Sequence, residues 1–212
     1  MKRLLGLSTV ILTVLLSILP LIGCKQEPPP TPAPETAIPA HFTTFTDETQ
    51  LFSISYPPDW QPAMSSIPGL EESSREAIRG IEFEVPPEEY TTLFFGGLPS
   101  EEGYRPNVNV IVGRAIGSTV EEEFEASMRG MEEISVGEYQ KFEEIKTVVG
   151  GREAMIIDHA FTLPGAPRVR CVQMVILVGE LGWCVSCGTV EEEFPAHQET
   201  INQVVRSLRI LK

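Results

Sequence analysis

The stretch GWCVSCG, Gly182 to Gly188, sets a tryptophan before two cysteines at C-x-x-C spacing. Thiols so spaced exchange disulfides when the first sits at a helix N-terminus, where the helix dipole lowers its pKa toward the attacking thiolate. A third cysteine, Cys171, lies in the preceding apolar run RVRCVQMVILVG, and His159 lies in the run before that, REAMIIDHAFTL. Cys171, Cys184, Cys187 and His159 are therefore the side chains from which redox or other enzymatic chemistry would have to be built.

Other chemistry has less to rest on. The three histidines, His41, His159 and His197, fall in three different elements without ligand spacing, so no metal site is expected. No cofactor-binding motif is read, and no serine or cysteine has a base at motif spacing. His159 alternates with Met155, Ile157 and Phe161 on one strand face, the setting of a core histidine. Glutamate pairs beginning at 71, 88, 101, 132 and 143 read as solvated surface.

What the cysteines can do depends on the elements that carry them. HFTTFT and LFSISY predict a half-buried hairpin, ended by Pro57-Pro58, with Trp60 anchored on the core. Residues 65–106 are the least legible part, with SREAIRG as a helical turn and TTLFFGG as a strand. VNVIVGRA predicts a strand. After it, Val120, Phe124, Met128 and Met131 make one helical stripe, with Thr119 and Glu122 in capping-box positions. FEEIKTVV and REAMIIDHAFTL then form a hairpin through Gly150-Gly151, PGAP turns the chain into RVRCVQMVILVG, and Glu180-Leu181 turns it into GWCVSCGT. A closing helix carries Val190, Phe194, Ile201, Val204, Val205 and Leu208 on one face.

With that last turn, Val178 pairs with Trp183, Ile176 with Val185 and Met174 with Cys187 on one apolar face. Cys184 and Cys187, an odd number of residues apart, point to opposite faces of a strand and cannot approach the Cβ separation of about 4 Å that a disulfide needs. Cys171 shares a face with Cys184 but lies opposite Val190, roughly 20 Å away at strand rise. No intramolecular disulfide is expected. TVEEEF occurs at Thr119 to Phe124 and again at Thr189 to Phe194. The repeat reads as one way of starting a helix, with glutamates at its positive end, rather than as a duplicated acidic metal site. Pro195 restarts the second helix, since a proline inside it would remove a hydrogen bond.

The N-terminal segment predicts a location. Met1-Lys2-Arg3 precedes an apolar run from Leu4 to Ile22, an export signal whose Pro20 and marginal length argue against a membrane-spanning helix. Leu21-Ile22-Gly23-Cys24 resembles the lipobox of bacterial lipoproteins, whose cysteine is lipidated on sulfur and becomes the mature N-terminus. The expected organisation is a signal peptide over 1–23, lipidated Cys24 with a Pro-rich spacer over 24–40, and one domain over 41–212. Gln26 to Ala40, with six prolines, is a semi-rigid tether reaching about 45 Å at ~3.1 Å per residue. Loss of Lys2 and Arg3 with the signal takes the formal charge from −14 to −16 over the remaining 189 residues. So acidic a chain repels phosphate backbones, which excludes nucleic acid as an expected partner. The membrane, reached through lipid on Cys24, is the expected one, and Lys25 disfavours inner-membrane retention where two membranes exist.

FSISYPPDW, the GREA of Gly151 to Ala154 opening a long strand, and Phe194 preceding INQVVRSLRIL make the chain similar to the PsbP/Mog1-like superfamily over most of Phe42 to Leu211. The resemblance implies an antiparallel sheet between helices, in agreement with the α+β order read above, strands and helix followed by a four-stranded meander and a helix. It also implies a binding or assembly module, offers no catalytic residues to carry over, and does not call for the cysteines. The expectation is a membrane-anchored extracytoplasmic lipoprotein of the bacterial envelope that is not an enzyme. The alternative is a redox or other enzyme using Cys171, Cys184, Cys187 and His159, which requires those side chains to converge in one cleft.

Overall fold

The computed structural model describes residues 37–47, 51–62, 90–97 and 105–211, and of residues 90–95 the backbone alone. The expected signal, Cys24, most of the spacer and the SREAIRG turn lie outside these residues. The described elements, in chain order, are β1 (Thr43–Thr46), β2 (Phe52–Tyr56), β3 (Gln61–Pro62), β4 (Tyr90–Gly97), β5 (Asn107–Arg114), α1 (Val120–Ile134), β6 (Gln140–Val149), β7 (Arg152–Thr162), β8 (Arg168–Val178), β9 (Leu181–Val190), α2 (Phe194–Arg206) and β10 (Arg209–Ile210). Among the described residues, no helix is long and apolar enough to cross a membrane.

Among the described residues every strand pairing is antiparallel, in a seven-stranded sheet ordered β3-β4-β5-β9-β8-β7-β6 and a three-stranded sheet ordered β1-β2-β10. The β6–β9 meander follows from its turns. Gly150 and Gly151 take φ of +58° and +78°, the left-handed pair that lets a two-residue loop follow the strand twist. α1 connects β5, beside β9, to β6 at the far edge, so it must cross the sheet and covers one face over β7 and β8. α2 covers the other face over β8 and β9 and meets β2. The architecture is α+β, an antiparallel sheet sandwiched by helices.

Two apolar layers result. On the α2 side Phe52, Ile54, Trp60, Met174, Trp183, Val185, Cys187, Phe194 and Ile201 belong to one core, and on the α1 side Val120, Phe124, Met128, Met155, Ile157 and Val175 form a second. With both faces covered, β7 and β8 are buried along most of their length, which explains apolar runs where a one-sided strand would alternate.

Three expectations need correction. Val178 pairs with Leu181 and Ile176 with Trp183, two residues away from the expected register. Gly179, at φ +62°, takes the turn with Glu180, and so Leu181 already belongs to the strand. A shift of two keeps every side chain on its face, but it sets Cys171 opposite Gly188, not Val190. The second TVEEEF does not start a helix: Thr189 and Val190 end β9, and α2 begins at Phe194 with Pro195 in its first turn, where the missing N–H has no helical partner to lose. The capping box is half formed. Thr119 accepts from the Glu122 N–H at 3.2 Å, whereas the Glu122 carboxylate takes its short bonds from Ser118, with a lesser contribution from the Thr119 backbone.

Candidate functional site: a tyrosine, histidine and cysteine row

The α1 face of the meander carries the residues with chemical potential. β7 points His159 to this face and β8 points Cys171 there, in directly opposed positions. The His159 Nε2 lies 3.0 Å from the Cys171 Sγ, and its Nδ1 lies 2.9 Å from the Tyr139 hydroxyl. Tyr139, just before β6, also reaches the Met128 sulfur of α1 at 3.5 Å. A thioether only accepts, so the tyrosine donates its proton there. With the proton on Nδ1, His159 donates to the tyrosine oxygen and accepts the Cys171 S–H at Nε2. In this tautomer each donor has an acceptor, as buried polar groups require.

The electrostatics keep the row neutral. Burial pushes His159 down to about 4, outweighing the opposite pull of Asp158 and Gln173. Burial likewise pushes the Cys171 thiol far up, with Cys184 and Asp158 adding to it, and raises Tyr139, with Glu132 adding to it. Attack by sulfur needs a thiolate, commonly paired with an imidazolium. This pair is biased toward thiol and neutral imidazole. Cβ room is tight as well: a side chain at Gly188 would put its Cβ 2.4 Å from that of Cys171.

Cys184 shares the face, half-buried beside the α1 core, where Gln173 donates to its sulfur at 3.0 Å and Ser186 lies at 3.6 Å. Burial raises its thiol to about 11, against the lowering effect of those two bonds. Cys187 points to the opposite face, packed in the α2-side core, and burial raises it well above its ordinary value. Cys171, Cys184 and Cys187 are all free thiols. The structure thus joins Cys171 to His159, sets Cys184 on the same face, and separates Cys187. His41 precedes β1 and His197 lies on α2, and among the described residues no group of three metal-ligating side chains forms. Neither cysteines nor His159 line the cleft of about 290 Å³ beside α1, which is bounded by Phe124, Glu125, Met128, Arg129, Glu132, Lys141 and Glu144.

Two features were not read from sequence. Glu123, in the middle of TVEEEF, is buried and accepts from the Ile116 and Gly117 N–H groups at 2.7 and 3.0 Å, tying the approach loop to α1. Arg170 makes a two-pronged bond to Asp158 at 2.8 and 2.7 Å with its guanidinium 3.8 and 4.3 Å from the ring centroids of Phe142 and Phe194. The alternation of β8 could have placed Arg170 on the α2 face, but the aromatic partners come from distant segments.

Among the described residues, an antiparallel sheet with a helix on each face defines the class. No family model and no curated protein matches the chain. Among solved structures it is similar to cyanobacterial PsbP (CyanoP) from Synechocystis sp. PCC 6803, at a TM-score of 0.52 and 12% identity, covering 84% of this chain and 97% of that one. The Saccharomyces cerevisiae Ran-binding protein Mog1p overlaps 81% of this chain and 96% of its own at TM-score 0.47 and 12% identity. LpqN, involved in cell envelope biogenesis of Mycobacterium tuberculosis, overlaps 62% and 83% at TM-score 0.44 and 9% identity. The chain has a PsbP/Mog1-like fold.

Proposed function

We propose that this chain is a bacterial lipoprotein, held at the extracytoplasmic face of a membrane by lipid on Cys24, whose domain binds or assembles a partner without catalysing a reaction. What carries the binding reading is the neutral, enclosed state of the Cys171–His159 pair: the residues best suited to nucleophilic work face Tyr139 and Gln173 in the interior instead of a cleft. The anchoring reading rests on the apolar run ending in Leu21-Ile22-Gly23-Cys24 and on the proline-rich tether after it. Each buried lipid methylene contributes about 0.8 kcal/mol, so several acyl chains hold lastingly where one does not. The enzyme reading that uses Cys171, Cys184, Cys187 and His159 is weaker, because Cys187 lies across the sheet from the others.

Expression in a bacterial host with labelled palmitate tests the anchor. The wild-type chain is expected to take up label and sediment with membranes, and Cys24→Ala to do neither. An unlabelled, freely soluble wild-type protein sinks the anchor.

A further inference from the structure

The binding reading, on which this inference rests, gains a location. β6 is the outermost strand of the seven-stranded sheet among the described residues, and Gln140 to Glu144 are all exposed. An outer strand leaves a row of backbone N–H and C=O groups that can template an added strand. Beside it opens the cleft of about 290 Å³, lined by Phe124 and Met128 and by three carboxylates, Glu125, Glu132 and Glu144, against two cations, Arg129 and Lys141. That volume is at the lower limit for a small-molecule pocket and suits one long side chain. Glu132 and Glu144 both line it and, after burial, both raise the pKa of Tyr139, which touches Met128. Lys141 and Glu144, three residues apart on β6, pair at 3.4 Å, but with side chains 47% and 41% exposed they form a weak, exchangeable ion pair.

The occupant follows from charge. A second copy brings another −14 and is repelled. The strand is also guarded against flat apolar pairing by a bulge between Lys141 and Glu143 and by its charged side chains. Such a guard rejects neutral strands and tolerates a complementary one. We propose that β6 and the cleft are one docking surface for an extended, lysine-bearing segment of a protein partner. Its backbone pairs along Gln140 to Glu144, and one lysine lays its methylene stem over Phe124 and Met128 with its ammonium between Glu132 and Glu144.

The probe is a short acetylated peptide alternating lysine with valine and threonine, titrated into the ¹⁵N-labelled full-length chain in detergent. Shifts are expected at the amides of residues 140–144 and at the Met128 methyl. Affinity should fall roughly tenfold in Glu125→Gln/Glu132→Gln/Glu144→Gln, whose spectrum reports an intact fold, and should weaken with salt. The same peptide N-methylated at alternate residues cannot donate to the strand and should lose binding. Shifts elsewhere, equal binding of the N-methylated peptide, or equal binding of a glutamate-for-lysine version would overturn the proposal. Crosslinking on native membranes separates this from the wider reading. A protein captured equally by wild type and the triple variant refutes this surface and leaves the binding reading standing, whereas capture by neither refutes both.

Discussion

At the residue scale, the Tyr139, His159 and Cys171 row behaves as a neutral hydrogen-bonded pin. His159 has a folded pKa of about 4, below its ordinary value of about 6.5, so the folded state binds fewer protons than the unfolded one in between. The stability contributed by neutral His159 is therefore complete above about pH 6.5 and is lost as the pH falls toward 4, on the order of 3 kcal/mol over the window. Urea unfolding at pH 7 and pH 5 should show a larger loss in the wild type than in His159→Phe, which keeps the ring volume and lacks the proton site. Parallel losses would show that His159 does not titrate on unfolding. Alternation along β7 made the burial of His159 legible, because Met155, Ile157 and Phe161 share its face. Its partners were not legible in the same way. Tyr139 lies outside any periodic segment, and the Cys171 contact depends on the β7–β8 register, which follows the turn at Pro164 to Pro167 and had no pairing read for it.

Among the elements, α1 has the least obvious attachment. Its apolar stripe seats it on β7 and β8, yet its N-terminal end is fixed by Glu123, whose carboxylate accepts two backbone N–H groups from the loop that leaves β5. Gly182 makes room for it, since a Cβ there would come within 2.3 Å of the Glu123 Oε1. Glu123→Ala leaves both amides without that acceptor and should lower stability by roughly 1–3 kcal/mol. Amide exchange of Ile116 and Gly117 is expected to accelerate more than that of β8, and uniform acceleration would argue against a local latch. Sequence periodicity identified α1, because a stripe at helical spacing has one reading. It did not identify the latch, because three adjacent glutamates at a helix start look alike until the preceding loop folds back on one of them. Likewise, the turn after β8 falls one residue earlier than expected, since Gly179-Glu180 and Glu180-Leu181 both break the apolar run at the same glutamate. Only the positive φ of Gly179 decides between them.

Among the described residues, the first and last strands share one small sheet. β10 pairs with β2, so the C-terminal strand completes the sheet begun by the N-terminal hairpin. Ser207, at the end of α2, accepts from the Ser55 N–H at 2.8 Å, a bond between residues 152 apart, and its own proton can go to the Val204 carbonyl at 2.7 Å. Both serines are buried, so Ser207→Ala leaves the Ser55 amide without that acceptor at a cost of roughly 1–3 kcal/mol. Phe52 and Ile54 of the small sheet share one core with Trp183, Val185 and Ile201. Loosening the small sheet therefore disturbs the packing of the large one. The variant should unfold in urea in a single transition at a lower midpoint with an unchanged slope, followed through Trp60 and Trp183. If exchange instead rises only along β1 and β2 while the midpoint stays fixed, the two sheets open independently. Under the proposed anchoring, the tether would then join the membrane to a hairpin that can open by itself, not to a domain that responds as one body.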